Sequence, residues 1–154
     1  MAASQRPERK YYLPVGLPAP APHIDGLGKE FWEATRRHEL LVQFCGACEN
    51  YQWGPEFLCH HCHDWDSLSY RRVEPRGRIY SWERNWYPAH PALQTGVPYL
   101  VVLVELPGAG NVRMVGNLLG DPEQEVVIGT DVEAVFEDHD DHDPQFTLVQ
   151  WRVV

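Results

Sequence analysis

The pattern of hydrophobic and polar positions predicts one helix followed by a series of strands. From Leu27 to Leu41 apolar residues recur mostly at helical intervals, Asp25 is placed to cap this helix, and Glu30 lies near its first turn. Further along, five runs are rich in β-branched and aromatic residues and are bounded by Gly, Pro or Asp. These runs are Gly77–Trp86, Val97–Leu106, Val112–Leu118, Asp131–Asp138 and Phe146–Val153. Five strands within about 80 residues indicate a small barrel.

Between the predicted helix and the predicted strands lies a segment with two C-x2-C pairs, CGAC and CHHC, separated by the residues ENYQWGPEFL. Two thiolates in a tight knuckle reach one metal ion, and a second knuckle completes a tetrahedral shell. The predicted metal ligands are Cys45, Cys48, Cys59 and Cys62. Four thiolates leave no open coordination position, so we expect a structural zinc ion rather than a catalytic one. Iron accepts the same sulfur geometry and stays open as an alternative.

Other chemistry at this segment is less well supported by the sequence. Redox C-x-x-C pairs usually begin a helix in a βαβ unit, and neither pair has that setting. The flanking histidines His60, His61 and His63 could be ligands, but four thiolates already complete the shell. His139 and His142 lie in the acidic stretch DHDDHD, where a solvated hairpin loop is expected.

The charge distribution restricts the partners. The chain of 154 residues has a formal net charge of −9, and the segment 121–143 holds many acidic residues and no Lys or Arg. Such a surface repels polyanions, which disfavours nucleic-acid binding. A basic run in the first part of the predicted barrel could still hold a small anionic ligand. Its members are Arg71, Arg72, Arg76, Arg78 and Arg84.

The sequence also predicts where the protein is located and how the chain is divided into domains. The sequence lacks both a membrane-spanning apolar stretch and a secretory leader, and its clustered cysteines fit a reduced, metal-bound state, so we expect a cytoplasmic protein. The Pro- and Ala-rich start predicts an extended tail that could lie on a partner. We therefore divide the chain into a tail (1–25), a helix with a zinc ribbon (26–69) and a barrel domain (70–154).

Several motifs in order carry a family resemblance: EFWEATRRHELLVQFC, then CGAC and CHHC, then GRIYSW, PYLVVLVEL and VRMVGNLLG. This arrangement, which covers nearly all of residues 26–154, resembles the zinc-ribbon and OB-fold proteins that accompany thiolase-superfamily enzymes. The resemblance implies a mainly β protein with an N-terminal helix, a rubredoxin-like four-cysteine zinc ribbon and a five-stranded OB-fold barrel. It also implies an accessory subunit in a hetero-oligomer, with a thiolase-like catalytic subunit as partner and a CoA ester as ligand.

No catalytic residue is predicted in this chain, because it shows no evident constellation of nucleophile, base and orienting group. The resemblance makes steroid side-chain retro-aldol cleavage and thiolysis of an aromatic or other acyl-CoA the leading reactions of the complex. A stand-alone acyl-CoA carrier is an alternative. A nucleic-acid module is another, since Tyr80, Trp82, Trp86 and Tyr87 could stack bases.

Two groups of residues are candidates for binding. Coenzyme A phosphates need only two or three arginines, and its adenine can stack on an aromatic ring. The predicted CoA-binding residues are Arg76, Arg78, Arg84, Trp82 and Trp86; the alternative for the arginines is exposed pairing with Glu74 and Glu83. The predicted partner interface comprises Phe31, Trp32, Tyr87, Pro88 and Pro91, and core packing is the alternative for the two helix aromatics.

Overall fold

The computed structural model describes residues 11–13, 17 and 21–154. A 3-10 helix, Gly26–Gly28, leads into the α-helix α1, Lys29–Thr35. Three strands follow: β1, Leu40–Cys45; β2, Asn50–Gln52; and β3, Leu68–Val73. Five more complete the chain: β4, Arg76–Asn85; β5, Tyr99–Leu106; β6, Val112–Asn117; β7, Asp131–His139; and β8, Phe146–Val153. Most of the predicted tail lies outside the described residues, and the described Tyr11 and Tyr12 lie on the chain's own barrel.

The predicted helix is real but shorter than its apolar pattern suggests. It ends at Thr35, and His38 has a positive φ of 57°, which turns the chain away from the helix axis. Leu40 and Leu41 therefore begin β1, in which every residue is buried. Asp25 precedes the 3-10 helix without a side-chain capping hydrogen bond, so the predicted cap is wrong.

The cysteine segment is built on a three-stranded antiparallel sheet with the order β2-β1-β3, which the sequence analysis did not predict. All six residues of β1 pair with β3, from Leu40–Val73 to Cys45–Leu68. Arg71 and Arg72 belong to β3 and so lie in the ribbon sheet, not in the barrel as expected. The Arg71 guanidinium lies 3.3 Å from the centre of the Phe44 ring.

The predicted five-stranded barrel is confirmed. Its antiparallel sheet has the order β6-β5-β4-β7-β8, and a parallel bridge between Leu118 and Trp151 brings its two edges together. Two glycines permit close approach inside it. A Cβ at Gly77 would lie 2.5 Å from the Glu105 carbonyl oxygen, and one at Gly116 would lie 2.6 Å from the Trp151 ring. Side chains cannot be accommodated at these distances, so glycine is required at both positions.

One hydrophobic cluster joins the helix, the ribbon sheet and the barrel. It contains Phe31 of α1 and Leu40 and Val42 of β1 together with barrel residues such as Leu100 and Trp151. The predicted division between residues 69 and 70 falls inside β3. Because the ribbon shares this core with the barrel, a change in the ribbon is expected to affect the stability of the whole chain.

Candidate metal centre and candidate binding surfaces

The structure brings the four predicted metal ligands together. The Sγ atoms of Cys45, Cys48, Cys59 and Cys62 all lie within 4.8 Å of one another. Two of the separations, Cys45 to Cys62 and Cys48 to Cys59, are 3.6 Å. Four sulfurs bound at about 2.3 Å in a tetrahedron would be separated by similar distances. The cluster could therefore hold a metal ion.

The two halves of this centre are built alike. The Glu49 amide donates to the Cys45 carbonyl at 2.9 Å, and the His63 amide donates to the Cys59 carbonyl at 3.0 Å. Glu49 and His63 also share a positive φ, 58° and 61° respectively. Each residue four positions after the first cysteine of a pair thus closes a tight turn. These turns aim both thiols of a pair at one point.

A pair of buried glutamines supports the loop that connects the two knuckles, and the sequence analysis missed them. Gln52 Nε2 donates to Gln43 Oε1 at 2.6 Å, and Gln43 Oε1 also accepts from the Glu56 amide at 3.0 Å. Gln52 Oε1 accepts from the His60 amide at 2.9 Å, next to Cys59. The sequence signal for this pair was the presence of two polar amide side chains in the segment that contains the cysteines. Buried amides of this kind are retained where every group is hydrogen-bonded.

The crowded thiols shift one another's pKa values in opposite directions. A hydrogen bond from the Asn50 side chain is the main cause that lowers the pKa of Cys48 to about 6. The pKa of Cys62 rises to about 12: the Asp64 backbone amide acts to lower it, but desolvation and the three neighbouring thiols outweigh that amide. Four adjacent thiolates repel one another unless a positive ion lies between them. The donor set therefore fits a divalent metal.

The histidines that the sequence analysis considered differ in burial. His60, His61 and His63 are exposed, and the cluster of possible metal ligands contains the four cysteines. His139 corrects the expectation of a solvated loop: it is the last residue of β7, it is buried, and its ring stacks on Phe146 at 4.5 Å. His142 is exposed, as expected.

A β-bulge in β4 separates the predicted CoA-binding residues onto two faces. The pairing with β5 shifts register between Ile79 and Ser81, so Trp82 lies opposite the buried Val102 and Arg84 opposite the buried Leu100. Cross-strand partners share a face, which directs Trp82 and Arg84 toward the barrel interior.

The arginines before the bulge differ in environment from Arg84. Arg76 and Arg78 are exposed and pair with Glu133 at 4.0 Å and Asp131 at 3.1 Å, not with the Glu74 and Glu83 considered above. Arg84 donates from Nε to the Pro122 carbonyl at 2.8 Å and from Nη2 to the Gln124 carbonyl at 2.5 Å. Its guanidinium thus anchors the loop between β6 and β7.

The aromatic residues considered for base stacking do not share one surface. Tyr80 is 44% exposed and has the Arg113 guanidinium 3.5 Å from its ring centre, whereas Trp82 packs against the core. Trp86 and Tyr87 stand apart in the loop between β4 and β5 and are 60% and 84% exposed. A continuous stacking platform of these four rings is absent from the described residues.

The predicted interface residues also divide into two groups. Phe31 is 6% exposed and belongs to the core, as its core-packing alternative predicts, while Trp32 is half-buried beside it with ring centres 4.9 Å apart. In the β4–β5 loop, Pro88 is half-buried and Pro91 is exposed, near the exposed Tyr87. Two further exposed aromatics, Phe57 and Trp65, flank the second cysteine pair and were not predicted. Among the described residues, the helices are too short and too polar to span a bilayer.

Sequence comparison identifies relatives of this arrangement. Residues 70–137 match the family of the ChsH2 C-terminal OB-fold domain. A curated relative, the probable enoyl-CoA hydratase alpha subunit of Thermomonospora curvata, is 35% identical over 135 residues, which is 86% of this chain. This chain spans 39% of the length of that relative.

Comparison with solved structures also finds chains that are similar to this one. A chain of the solved Ltp2-ChsH2(DUF35) aldolase is 31% identical and superposes with a TM-score of 0.72, over 86% of this chain and 98% of that one. A DUF35 protein from Sulfolobus solfataricus shares the fold, with a TM-score of 0.53 at 14% identity over 83% of this chain and 85% of that one.

Proposed function

This chain belongs to the DUF35 family, and from that membership we propose that it is a non-catalytic accessory subunit of a thiolase-superfamily enzyme that acts on acyl-CoA. The observation that carries the proposal is the match to nearly the whole length of a chain in the Ltp2-ChsH2(DUF35) aldolase. The name of the hydratase relative also describes one subunit of a larger enzyme that acts on a CoA ester. The active complex would be a hetero-oligomer.

We propose zinc as the ion of the four-cysteine centre. The four sulfurs fit a tetrahedral shell, and with all four ligands supplied by protein the bound ion would crosslink the ribbon rather than polarise a substrate. The knuckle turns and the Gln43–Gln52 pair hold the ligands in place. A reduced thiol centre of this kind is also the basis on which we propose a cytoplasmic location.

For the CoA ester, we propose a site on the outer face of β4. Arg76 and Arg78 are exposed at the start of this strand, and their ion pairs with Glu133 and Asp131 are solvated enough to exchange for phosphate contacts. Trp86 follows the opposite end of β4 and would offer an exposed ring to a ligand that extends along the strand. Arg84 and Trp82 face the interior and would not touch the ligand: Arg84 holds the loop between β6 and β7, and Trp82 packs against the core.

The partner surface would include the β4–β5 loop and the ribbon. Tyr87, Pro88 and Pro91 lie in this loop, and Trp32 is half-buried on α1. Exposed aromatic residues are enriched where protein interfaces are strongest. Within the acyl-CoA class, we propose steroid side-chain retro-aldol cleavage first and thiolysis of an aromatic or other acyl-CoA second, as the resemblance implies.

Co-purification tests the accessory role directly. A tagged copy would be isolated from its native cell at low salt, its partners identified by mass spectrometry and its metal measured in the same sample. We expect a thiolase-like protein and one zinc per chain. A chain recovered alone with bound CoA ester would favour the carrier alternative, and recovery with nucleic acid that dissociates as salt rises would favour a nucleic-acid module.

A further inference from the structure

The barrel has a seam between β6 and β8, where little backbone pairing joins its two edges. Among the described residues, one isolated bridge between Leu118 and Trp151 links these strands. The Leu119 amide donates to the Trp151 carbonyl at 2.8 Å, and both the backbone and the side-chain nitrogens of Asn117 lie 3.1 Å from Gln150 Oε1. A strand edge held by so few hydrogen bonds is expected to open more readily than the ladders around it.

Beside this seam, polar side chains are buried on a face that a barrel usually exposes to water. Glu137 and His139 alternate with Phe136 and Asp138 along β7, and their side chains are 8% and 4% exposed. A hydrogen bond of 2.8 Å joins His139 Nε2 and Glu137 Oε1. Glu137 Oε2 lies 3.4 Å from the buried Gln150 Nε2. Burying a carboxylate is costly unless its oxygens accept hydrogen bonds, so the covering group must supply donors.

The chain's own residues Tyr11 and Tyr12 provide that cover. The Tyr11 ring stacks on His139 with centroids 4.2 Å apart and an interplanar angle of 15°, and its hydroxyl donates to Asp141 at 2.7 Å. The Tyr12 amide donates to Glu137 Oε2 at 2.7 Å. These contacts meet the need of the buried carboxylate for a further donor.

Tyr12 also reaches the other side of the seam. Its hydroxyl accepts from the Leu100 amide at 2.9 Å and lies 3.3 Å from the Leu100 carbonyl. That carbonyl also accepts from the Leu118 amide at 3.1 Å, just beyond the β5–β6 ladder. The Tyr12 backbone amide thus contacts β7 and the Tyr12 hydroxyl contacts β5. The second contact lies beside Leu118, the residue that bridges to Trp151 at the seam.

We propose that the outer face of the β7–β8 hairpin is a binding surface for a tyrosine-tyrosine segment, that residues 11–13 of this chain occupy it, and that this docking holds the β6–β8 seam closed. The segment supplies a backbone donor for Glu137, an aromatic face for His139 and a hydroxyl for Leu100. It is a structural part of the barrel rather than a tail for a partner.

Hydrogen exchange of the full-length chain tests the proposal in Tyr12→Phe, which removes only the hydroxyl. Loss of one such hydrogen bond is expected to speed exchange of the Leu118 and Leu119 amides about fivefold, while the β4–β5 ladder stays protected. Tyr51→Phe is the matched control, because it removes the same atom from β2, a strand of the ribbon sheet that is not hydrogen-bonded to the seam strands.

Glu137→Gln gives an independent second variant, because it keeps the shape of the side chain and removes its charge. It should increase exchange of the Tyr12 amide itself as well as of the seam amides. Unchanged seam exchange in both variants, or equal acceleration throughout the barrel, would overturn the proposal. The measurement needs no partner subunit, so its outcome is independent of the proposed accessory role.

Discussion

The arginines of β4 have different roles although they lie within one strand. Arg78 forms an exposed ion pair with Asp131 at 3.1 Å. Arg84 follows the bulge, and its guanidinium donates hydrogen bonds to two backbone carbonyls of the β6–β7 loop. Alternation alone could place some of these side chains on one face but could not locate the extra residue that shifts the register. We therefore propose Arg78 as the residue that contacts the ligand, whereas Arg84 anchors the loop between β6 and β7.

Arg78→Ala is predicted to weaken binding of free coenzyme A by about 1 to 3 kcal/mol, the usual effect of losing a charge-assisted hydrogen bond. Isothermal titration of the isolated chain would measure it. Arg72→Ala is the matched control, because Arg72 pairs with Glu39 at the same distance of 3.1 Å but lies in the ribbon sheet. If Arg78→Ala and wild type bind alike, Arg78 does not contact the ligand.

In the ribbon, the cysteine cluster could be predicted from the sequence, whereas the strands that hold the cysteines could not. The spacing of the cysteines predicted the four-sulfur cluster, and the structure places those atoms within 4.8 Å. The strands that hold them were missed because β1 has no alternation: both of its faces are buried, one against α1 and the barrel. A continuous apolar run after a helix resembles more helix, which also explains the predicted helix end at Leu41.

Cys45→Ser is predicted to lose the metal and to destabilise the whole chain, since β1 contributes Leu40 and Val42 to the shared core. A structural zinc ion couples binding to folding, so the melting temperature should fall by roughly 10 °C or more. Metal analysis and calorimetry would be performed on the same samples. His60→Ala, an exposed neighbour of the second pair, should retain both metal and melting temperature. Normal metal content in Cys45→Ser would contradict the assignment of this ligand.

At the scale of the molecule, the described residues form one hydrophobic core, and a few aromatic side chains lie outside this core. Phe31 is absorbed by the core, whereas Trp86 and Tyr87 project from the β4–β5 loop and Phe57 and Trp65 from the ribbon. Since exposed aromatic residues contribute strongly to protein interfaces, the partner is expected to contact this loop.

Tyr87→Ser is predicted to weaken association with the catalytic subunit by about tenfold or more while leaving the melting temperature of the isolated chain unchanged. The reason is that Tyr87 is 84% exposed, so its ring contributes little to folding. Association would be measured by titrating the co-purified catalytic subunit with each variant. Val115→Ser, on the exposed side of β6, is the control and should bind as wild type does. Equal affinity for Tyr87→Ser would exclude this loop position from the interface.

The order of helix, cysteine segment and barrel, the four-cysteine cluster and the five barrel strands could be predicted from the sequence, because each depends on spacing between neighbours along the chain. The faces of Arg78 and Arg84 depend on a bulge in pairing with a distant strand, and the burial of Phe31 and His139 depends on what packs over them. The docking of Tyr11 and Tyr12 joins residues separated by as many as 130 positions. Contacts of that range arise only when the barrel has formed, since local sequence patterns contain no information about which surfaces meet.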